Sequence, residues 1–312
     1  MKKGNKSLVA IIASVRKKRF VCASLFLMLC VNVAFAQVKL SFNPETGKKF
    51  EYKMEAVQNI KQNVMGQEMP METEMNSTYL MEIKDKTSRE IRTQMTYEGF
   101  TFLVSSPMMN VKYDSKKPID NPSDMDEMFE KIFSTLIGKP FTVVYAPDGS
   151  VKSVSGMGAI IENMIGSVSA DGQAAAQIGV QMSQQFSDES MKNMFGQSFH
   201  IYPDNAVKVG ESWNMENSMS MNNMNIGIKT KNTLREVNSN RAIIAVTGEV
   251  DMDMGEGKFT GMQTGTMIVD ITTGLPVTSD ISLNLKGSIK SQGMDIQMEM
   301  LTQTKMSVKE IN

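Results

Sequence analysis

The stretch from Met69 to Ile83, MPMETEMNSTYLMEI, puts Met69, Met71, Thr73, Met75, Ser77, Tyr79, Met81 and Ile83 on one two-residue period, with Glu72, Glu74 and Glu82 between them. A β-strand turns successive side chains to opposite faces, so this spacing predicts a long strand with one face rich in thioethers and one acidic face. Thirty of the 312 residues are methionine, and Met-x-Met pairs recur at 69/71, 219/221, 252/254 and 298/300. Side chains so flexible and polarisable fill an irregular core, line an adaptable apolar cavity, or bind a soft metal.

Outward from this stretch the same period continues. Phe50, Tyr52, Met54, Ala56, Ile60 and Val64 alternate with polar residues, and the Met65-Gly66-Gln67 turn joins that run to the methionine strand as a long hairpin. Ile91, Thr93, Met95 and Tyr97 extend the pattern, with Gly99 as a bend or bulge, before Pro107 and the loop Ser115 to Pro122. Met125, Met128, Phe129, Ile132, Phe133, Leu136 and Ile137 then form a helical stripe with Ser123 as N-cap and Gly138 as stop, so a helix is predicted near 124–137 that closes one face of the sheet. Phe141 to Tyr145 and Val151 to Val154 read as strands around the Pro147-Asp148-Gly149 turn. Residues 157–196 lose the two-residue period and read as a helical hinge or cover, with a piece from Asp188 to Phe195 capped by Ser187.

After Tyr202-Pro203-Asp204 the strand grammar returns in the same order. Gly210-Glu211-Ser212-Trp213 repeats the sense of Gly47-Lys48-Lys49-Phe50, a glycine turn before a strand with an aromatic first inward residue. One strand face follows in Ile244, Val246, Val250, Met252 and Met254, and another strand begins with Met267, Val269 and Ile271. That strand turns at Thr272-Thr273-Gly274-Leu275-Pro276, in the role of Pro147-Asp148-Gly149. Ile281, Leu283, Leu285 and Ile289 lead to the Ser291-Gln292-Gly293 turn, and Met294, Ile296, Met298 and Met300 leave it on one face, with Met306 and Val308 in phase. The predicted fold class is therefore mainly β (α+β): a long curved antiparallel sheet or half-barrel from two β-rich halves, 37–156 and 203–312, joined by a helical segment at 157–202. The two halves look like a degenerate internal duplication.

Residues 1–36 read as a cleaved signal peptide. Lys2, Lys3, Lys6, Arg16, Lys17, Lys18 and Arg19 form its basic region, Phe20 to Val33 its apolar core, and Ala34-Phe35-Ala36 its cleavage site, predicting a mature chain from Gln37. Cys22 and Cys30 both lie inside it, and Cys30 follows Leu27-Met28-Leu29 rather than the small residues a lipid-accepting cysteine needs. Removing seven of 33 bases leaves 26 against 34 acids, a net charge of −8, which argues against nucleic acid and anionic lipid surfaces as partners. The predicted mature chain has no cysteine, so it depends on no disulfide, and its apolar runs are too short for a helical membrane span.

Catalytic constellations are not visible. The one histidine, His200, stands between Phe199 and Ile201 before a proline turn, without an orienting partner for a nucleophilic triad. Asp251-Met252-Asp253-Met254-Gly255-Glu256-Gly257 lacks the ligand spacing of a calcium loop and reads as a strand entering a glycine turn. Gly255, Gly257 and Gly261 precede no helix, which a phosphate loop requires. The Met-x-Met pairs suit copper(I), but interleaved Glu72, Glu74, Asp295, Gln297 and Glu299 make them the apolar side of an ordinary two-faced strand.

The Gly47-Lys48-Lys49-Phe50-Glu51-Tyr52 opening resembles a family of exported bacterial proteins, common in Bacteroidota, known only as a domain of unknown function. Ile137-Gly138-Lys139-Pro140-Phe141 with its Pro147-Asp148-Gly149-Ser150-Val151 hairpin carries the same resemblance, as does Tyr202-Pro203-Asp204 leading to Val209-Gly210-Glu211-Ser212-Trp213. It covers nearly all of the predicted mature chain and implies no catalytic or binding residues. By architecture alone, the expected curved sheet closed by helices is similar to the periplasmic lipoprotein carrier and its outer-membrane receptor, which implies a cavity for acyl chains. The expectation is an exported, non-enzymatic binding or carrier protein, periplasmic or extracellular, without a cofactor. Its apolar ligand, a lipid, acyl chain or peptide, would lie against Met69, Met71, Met75, Tyr79, Met294, Met298 and Met300. The rival expectation is an envelope interaction protein whose methionines are core only, with soft-metal binding third.

Overall fold

The structure is a computed structural model that describes residues 37–311 apart from 65, 169–171, 200, 222–223 and 292. The predicted signal peptide and His200 therefore lie outside the described residues, as do the side chains of Met219 and Met221. Gln37–Asn312 forms one compact unit with its own core. Its strands are β1 (Lys49–Val64), β2 (Gln67–Lys86), β3 (Ile91–Ser105), β4 (Asn110–Asp114), β5 (Pro140–Tyr145), β6 (Val151–Ser155), β7 (Ser212–Met221), β8 (Met224–Asn238), β9 (Arg241–Asp253), β10 (Gly257–Asp270), β11 (Pro276–Ser291) and β12 (Met294–Ile311). All twelve join one antiparallel sheet in the order β6-β5-β3-β2-β1-β12-β11-β10-β9-β8-β7, with β4 added on β3. The sheet is open, and its two halves are continuous: β1 and β12 pair from Lys49 opposite Ile311 to Asn63 opposite Gln297.

The predicted phase of β2 holds. Ser77, Tyr79, Met81 and Ile83 are buried on the inner face, and Met69, Met71 and Met75 are half-buried there. In β3 the register slips where Tyr97 faces Tyr79 but Gly99 faces Thr78, so Glu98 is the extra residue of a bulge. Beyond it Phe100, Phe102 and Val104 take over the inner face.

Two strand expectations need correction. β10 begins at Gly257, ten positions before the predicted Met267, because inner-phase Gly257, Gly261 and Gly265 hide its alternation. A Cβ on Gly261 would stand 1.8 Å from the Asn284 carbonyl oxygen, and one on Gly265 2.1 Å from that of Asp280. Here the sheet bends inward too tightly for side chains. Met254 lies past the end of β9 and is 44% exposed, rather than continuing the face of Met252.

Both halves follow one plan. The Gly47 N–H donates to the Ile83 carbonyl at 2.8 Å and the Ile83 N–H to that of Lys48 at 2.9 Å; the Gly210 N–H donates to Leu234 at 2.7 Å and the Leu234 N–H to Glu211 at 3.0 Å. One residue further on both ladders slip, at Ile83/Asp85 and Leu234/Glu236. The β5–β6 and β10–β11 hairpins slip before their turns, at Val144/Tyr145 and Ile268/Val269. Thus β1-β2-β3-β5-β6 and β7-β8-β9-β10-β11 correspond, while β4 and the helix at Asp124–Ser134 belong to the first half's connections, the helices between Met157 and Phe199 join the halves, and β12 has no counterpart.

The helices are α1 (Asp124–Ser134), α2 (Met157–Val168), α3 (Gln173–Gln185) and α4 (Asp188–Phe199). Ser123 caps α1 in a capping box, accepting from the Asp126 N–H at 3.2 Å while the Asp126 carboxylate accepts from the Ser123 N–H at 2.8 Å. Partial burial alone would raise the Asp126 pKa, but the Ser123 hydroxyl and the N–H groups of Lys112 and Ser123 outweigh it and hold the carboxyl below its usual range. The helix ends earlier than predicted. Leu136 and Ile137 leave it so that Ile137 bridges to Tyr97, and Gly138, at φ 71°, donates to the Tyr97 carbonyl at 2.8 Å. Phe129 and Phe133 pack on Phe102, and Phe133 also on Phe100 and Tyr113. Helix α4 packs against both edge strands, β6 and β7, and so spans the gap that hydrogen bonding leaves open.

Candidate functional site: the inner face

Antiparallel pairing puts the turns at two ends. The β1–β2, β3–β4, β7–β8, β9–β10 and β11–β12 turns form one end, here the rim; the β2–β3, β5–β6, β8–β9 and β10–β11 turns form the other, the base.

The base is filled. Tyr52 stacks on Tyr79 at 5.1 Å, Tyr79 meets Tyr97 and Phe195 edge-on at 5.9 and 6.1 Å, and Phe195 of α4 also packs on Phe141. All six tyrosines are buried. Burial pushes the phenols of Tyr52, Tyr79, Tyr97, Tyr145 and Tyr202 well above their ordinary pKa, and burial with the nearby Glu130 and Asp114 charges pushes Tyr113 up to about 12. The segment after Gln37 seals this end: Val38 pairs with Val207, Phe42 packs on Tyr145 at 5.0 Å, and the Asn43 N–H donates to the Thr273 carbonyl at 2.7 Å. The Tyr202 hydroxyl bonds the Gly274 carbonyl beside it.

Toward the rim the inner face has another character. One row crosses seven strands as Ile228, Val250, Gly261, Leu285, Met300, Ile60 and Met71. The next row rimward reads Ile226, Met252, Phe259, Gly287, Met298, Gln62 and Met69. These residues make a second apolar cluster built from strands alone, in which Met71, Met298, Met224, Ile226, Ile228 and Ile289 are only partly buried. A polar row separates it from the base: Thr230, Gly248, Gln263, Leu283, Thr302, Gln58 and Thr73, where the Gln58 amide donates to the Thr302 hydroxyl at 3.2 Å. At this level a cavity of about 130 Å³ is lined by Ile201, Met215, Asn217, Ile228, Thr230, Asn232, Val246, Gln263, Met267 and Ile281, with no charged side chain in its wall.

Of the residues predicted to line a ligand, the structure gathers Met69, Met71, Met298 and Met300 into the two rim rows and puts Met294 at the start of β12 beside the rim. Met75 lies below the polar row, and Tyr79 belongs to the filled base. Sequence reading missed the polar row, Gln58 and Gln263 above all. Its signal was present as polar residues at inner-phase positions of adjacent strands, legible only once the register is known. Among the described residues no helix is long and apolar enough to cross a membrane, and no group of three His, Cys, Asp or Glu side chains could hold a metal.

The model of a family of unknown function, DUF6263, matches residues 88–276. The chain belongs to that family. No curated protein matches it. Among solved structures it is similar to a lipovitellin studied for lipid–protein interactions, at 8% identity over 85% of this chain and 25% of that one, with a TM-score of 0.48. It thus spans about a quarter of the lipovitellin chain. It is also similar to an outer membrane channel from Pseudomonas putida F1, at 7% identity over 89% of this chain and 100% of that one, TM-score 0.22. A third is OccK7 (OpdD) of Pseudomonas aeruginosa, at 7% identity over 85% and 100%, TM-score 0.23. Scores this low say nothing of what a member of the DUF6263 family binds.

Proposed function

We propose that this DUF6263 member is an exported, non-enzymatic carrier of a neutral, largely apolar ligand, a lipid or acyl chain, held on the inner face between rim and polar row. The carrying observation is the strand-only rim cluster. Half-buried Met298, Ile226 and Ile228 lie on an inner face that, among the described residues, no helix residue joins, and Met71 borders both this cluster and the main core, whereas the base is packed with aromatic rings and α4. Methionine adapts its shape to irregular apolar partners at little cost. The polar row supplies hydroxyl and amide groups but no charge, which suits an ester, amide or hydroxyl on the ligand rather than a carboxylate or phosphate. A space of about 130 Å³ is below the few hundred Å³ of ordinary ligand sites, so uptake requires the half-buried methionines to move aside.

Native mass spectrometry of the protein purified from its own host tests this reading. A co-purifying neutral lipid supports it, a copper adduct favours thioether metal binding, and bare protein favours an envelope interaction protein with a methionine core. In vitro, N-phenyl-1-naphthylamine fluorescence should saturate and be displaced by a monoacylglycerol better than by the matching fatty acid. Met71→Gln and Met298→Gln together should weaken the probe about tenfold, from lost apolar contact. Unsaturable fluorescence, or equal affinity in the double variant, would remove the inner face as the site.

A further inference from the structure

Exposed methionines gather at the rim turns, although Met262 on the outer side of β10 and Met194 of α4, away from those turns, are exposed to similar degrees, 49% and 38%. Met108 with Met109, Met224, Met254 and Met294 stand in or beside four of the five rim turns. Met108 is 84% exposed, Met254 44% and Met109 37%. The base turns, at 87–90, 146–150, 239–240 and 271–275, contain no methionine. Apolar residues scattered singly over a surface need no explanation, but a set gathered at one end by the topology marks a contact surface. This surface is continuous with the inner face. From the rim inward the inner-phase positions of β12 are Met294, Ile296 and Met298, those of β8 are Met224, Ile226 and Ile228, and those of β2 include Met69 and Met71, none of them charged.

Charge decides the kind of partner. Three cations near the rim have neighbouring acids, Lys61 at 3.8 Å from Glu68, Lys258 at 3.7 Å from Asp253 and Lys286 at 2.9 Å from Glu299, and Lys290 stands opposite Asp295 in the β11–β12 register. Among the described residues these pairs leave no cationic cluster to grip an anionic surface, and the excess of acids over bases in residues 37–312 repels one. We propose that the rim docks on a zwitterionic lipid bilayer, with the exposed methionine turns entering its interfacial layer and the inner face opening toward the acyl region. The docking rests on the carrier reading only for what then passes inward. Exposed thioethers on turn tips partition into the interface, while the paired charges stay at the headgroup level.

Co-sedimentation of the unit Gln37–Asn312 with phosphatidylcholine vesicles tests the proposal. The chain should bind, added salt should leave binding unchanged, and the triple variant Met108→Ser, Met109→Ser, Met254→Ser should bind at least about tenfold more weakly. A second measurement uses the absence of cysteine from this unit. An environment-sensitive dye on Met108→Cys should shift to the blue on vesicles, and the same dye on Ser88→Cys, at an exposed base turn, should not. No association with phosphatidylcholine, equal binding by the triple variant, association only with anionic vesicles, or an equal shift at both dye positions overturns the proposal. Probe uptake in solution separates the two readings. Vesicle docking that depends on the rim but comes without probe binding sinks the carrier function alone, and probe binding without docking sinks the rim alone.

Discussion

A single methyl group tests how the sheet bends. Gly261→Ala places a carbon against the Asn284 carbonyl, 1.8 Å away in the unrelaxed backbone, so β10 and β11 must separate. The expected cost is about 1–3 kcal/mol in urea unfolding, as for overpacked cores, whereas Thr266→Ala, at an exposed position of the same strand, should stay within about 0.5 kcal/mol. The tyrosines give a second test. Burial raises their folded-state pKa above the ordinary 10.0, so the folded chain retains protons that the unfolded chain releases. Their contribution to stability is therefore complete below pH 10.0 and is lost as pH climbs above it toward the folded values. Phenolate absorbance should stay flat through that pH and rise only together with loss of near-ultraviolet circular dichroism. An ordinary titration in a chain that keeps its dichroism would contradict the burial.

Among the elements, α4 carries the most distinctive task, since it packs on both edge strands. Phe195 is 2% exposed and touches Tyr79 and Phe141. Phe195→Ala should cost about 3–5 kcal/mol and make the 157–199 region the first site of limited proteolysis. Early cleavage elsewhere would mean that α4 does not close the seam. Some elements were plain in the sequence because one physical signal governed each. β2 alternates without interruption, and α1 announces itself with Ser123, Asp126 and an apolar stripe. Others were hidden by a conflict of signals. β10 surrenders three inner side chains to curvature, so alternation vanishes where the sheet is bent most. The end of α1 is set by Tyr97, which bridges Ile137 and accepts from the Gly138 N–H but is distant in the chain, so local propensity cannot register it. For the candidate site, the thioether face of β2 and β12 was legible, since it depends on phase within each strand. The polar row and the gathering of exposed methionines at one end were not, because both depend on which strands are neighbours.

At the scale of the whole molecule, one sheet implies one transition. β1 lies between β2 and β12, so the first half cannot keep its inner face without the second. The one tryptophan, Trp213, donates to the Ile201 carbonyl at 2.9 Å and reports on the second half, while the Tyr52–Tyr79–Tyr97 group reports on the first. Their unfolding curves in urea should coincide, and residues 37–156 alone should lack a cooperative transition. Separate midpoints would show that the halves are independent domains. The β1–β12 pairing also bears on how the chain reaches its fold. A polypeptide emerges from synthesis amino end first, and β1 waits with one bare edge until Met294–Ile311, its last partner, has been made. Closure of the sheet is thus a late, long-range event of the slow kind, and during that interval the open strand edge is exposed to wrong partners. A chain built this way needs to be kept apart from its neighbours until its last strand has emerged.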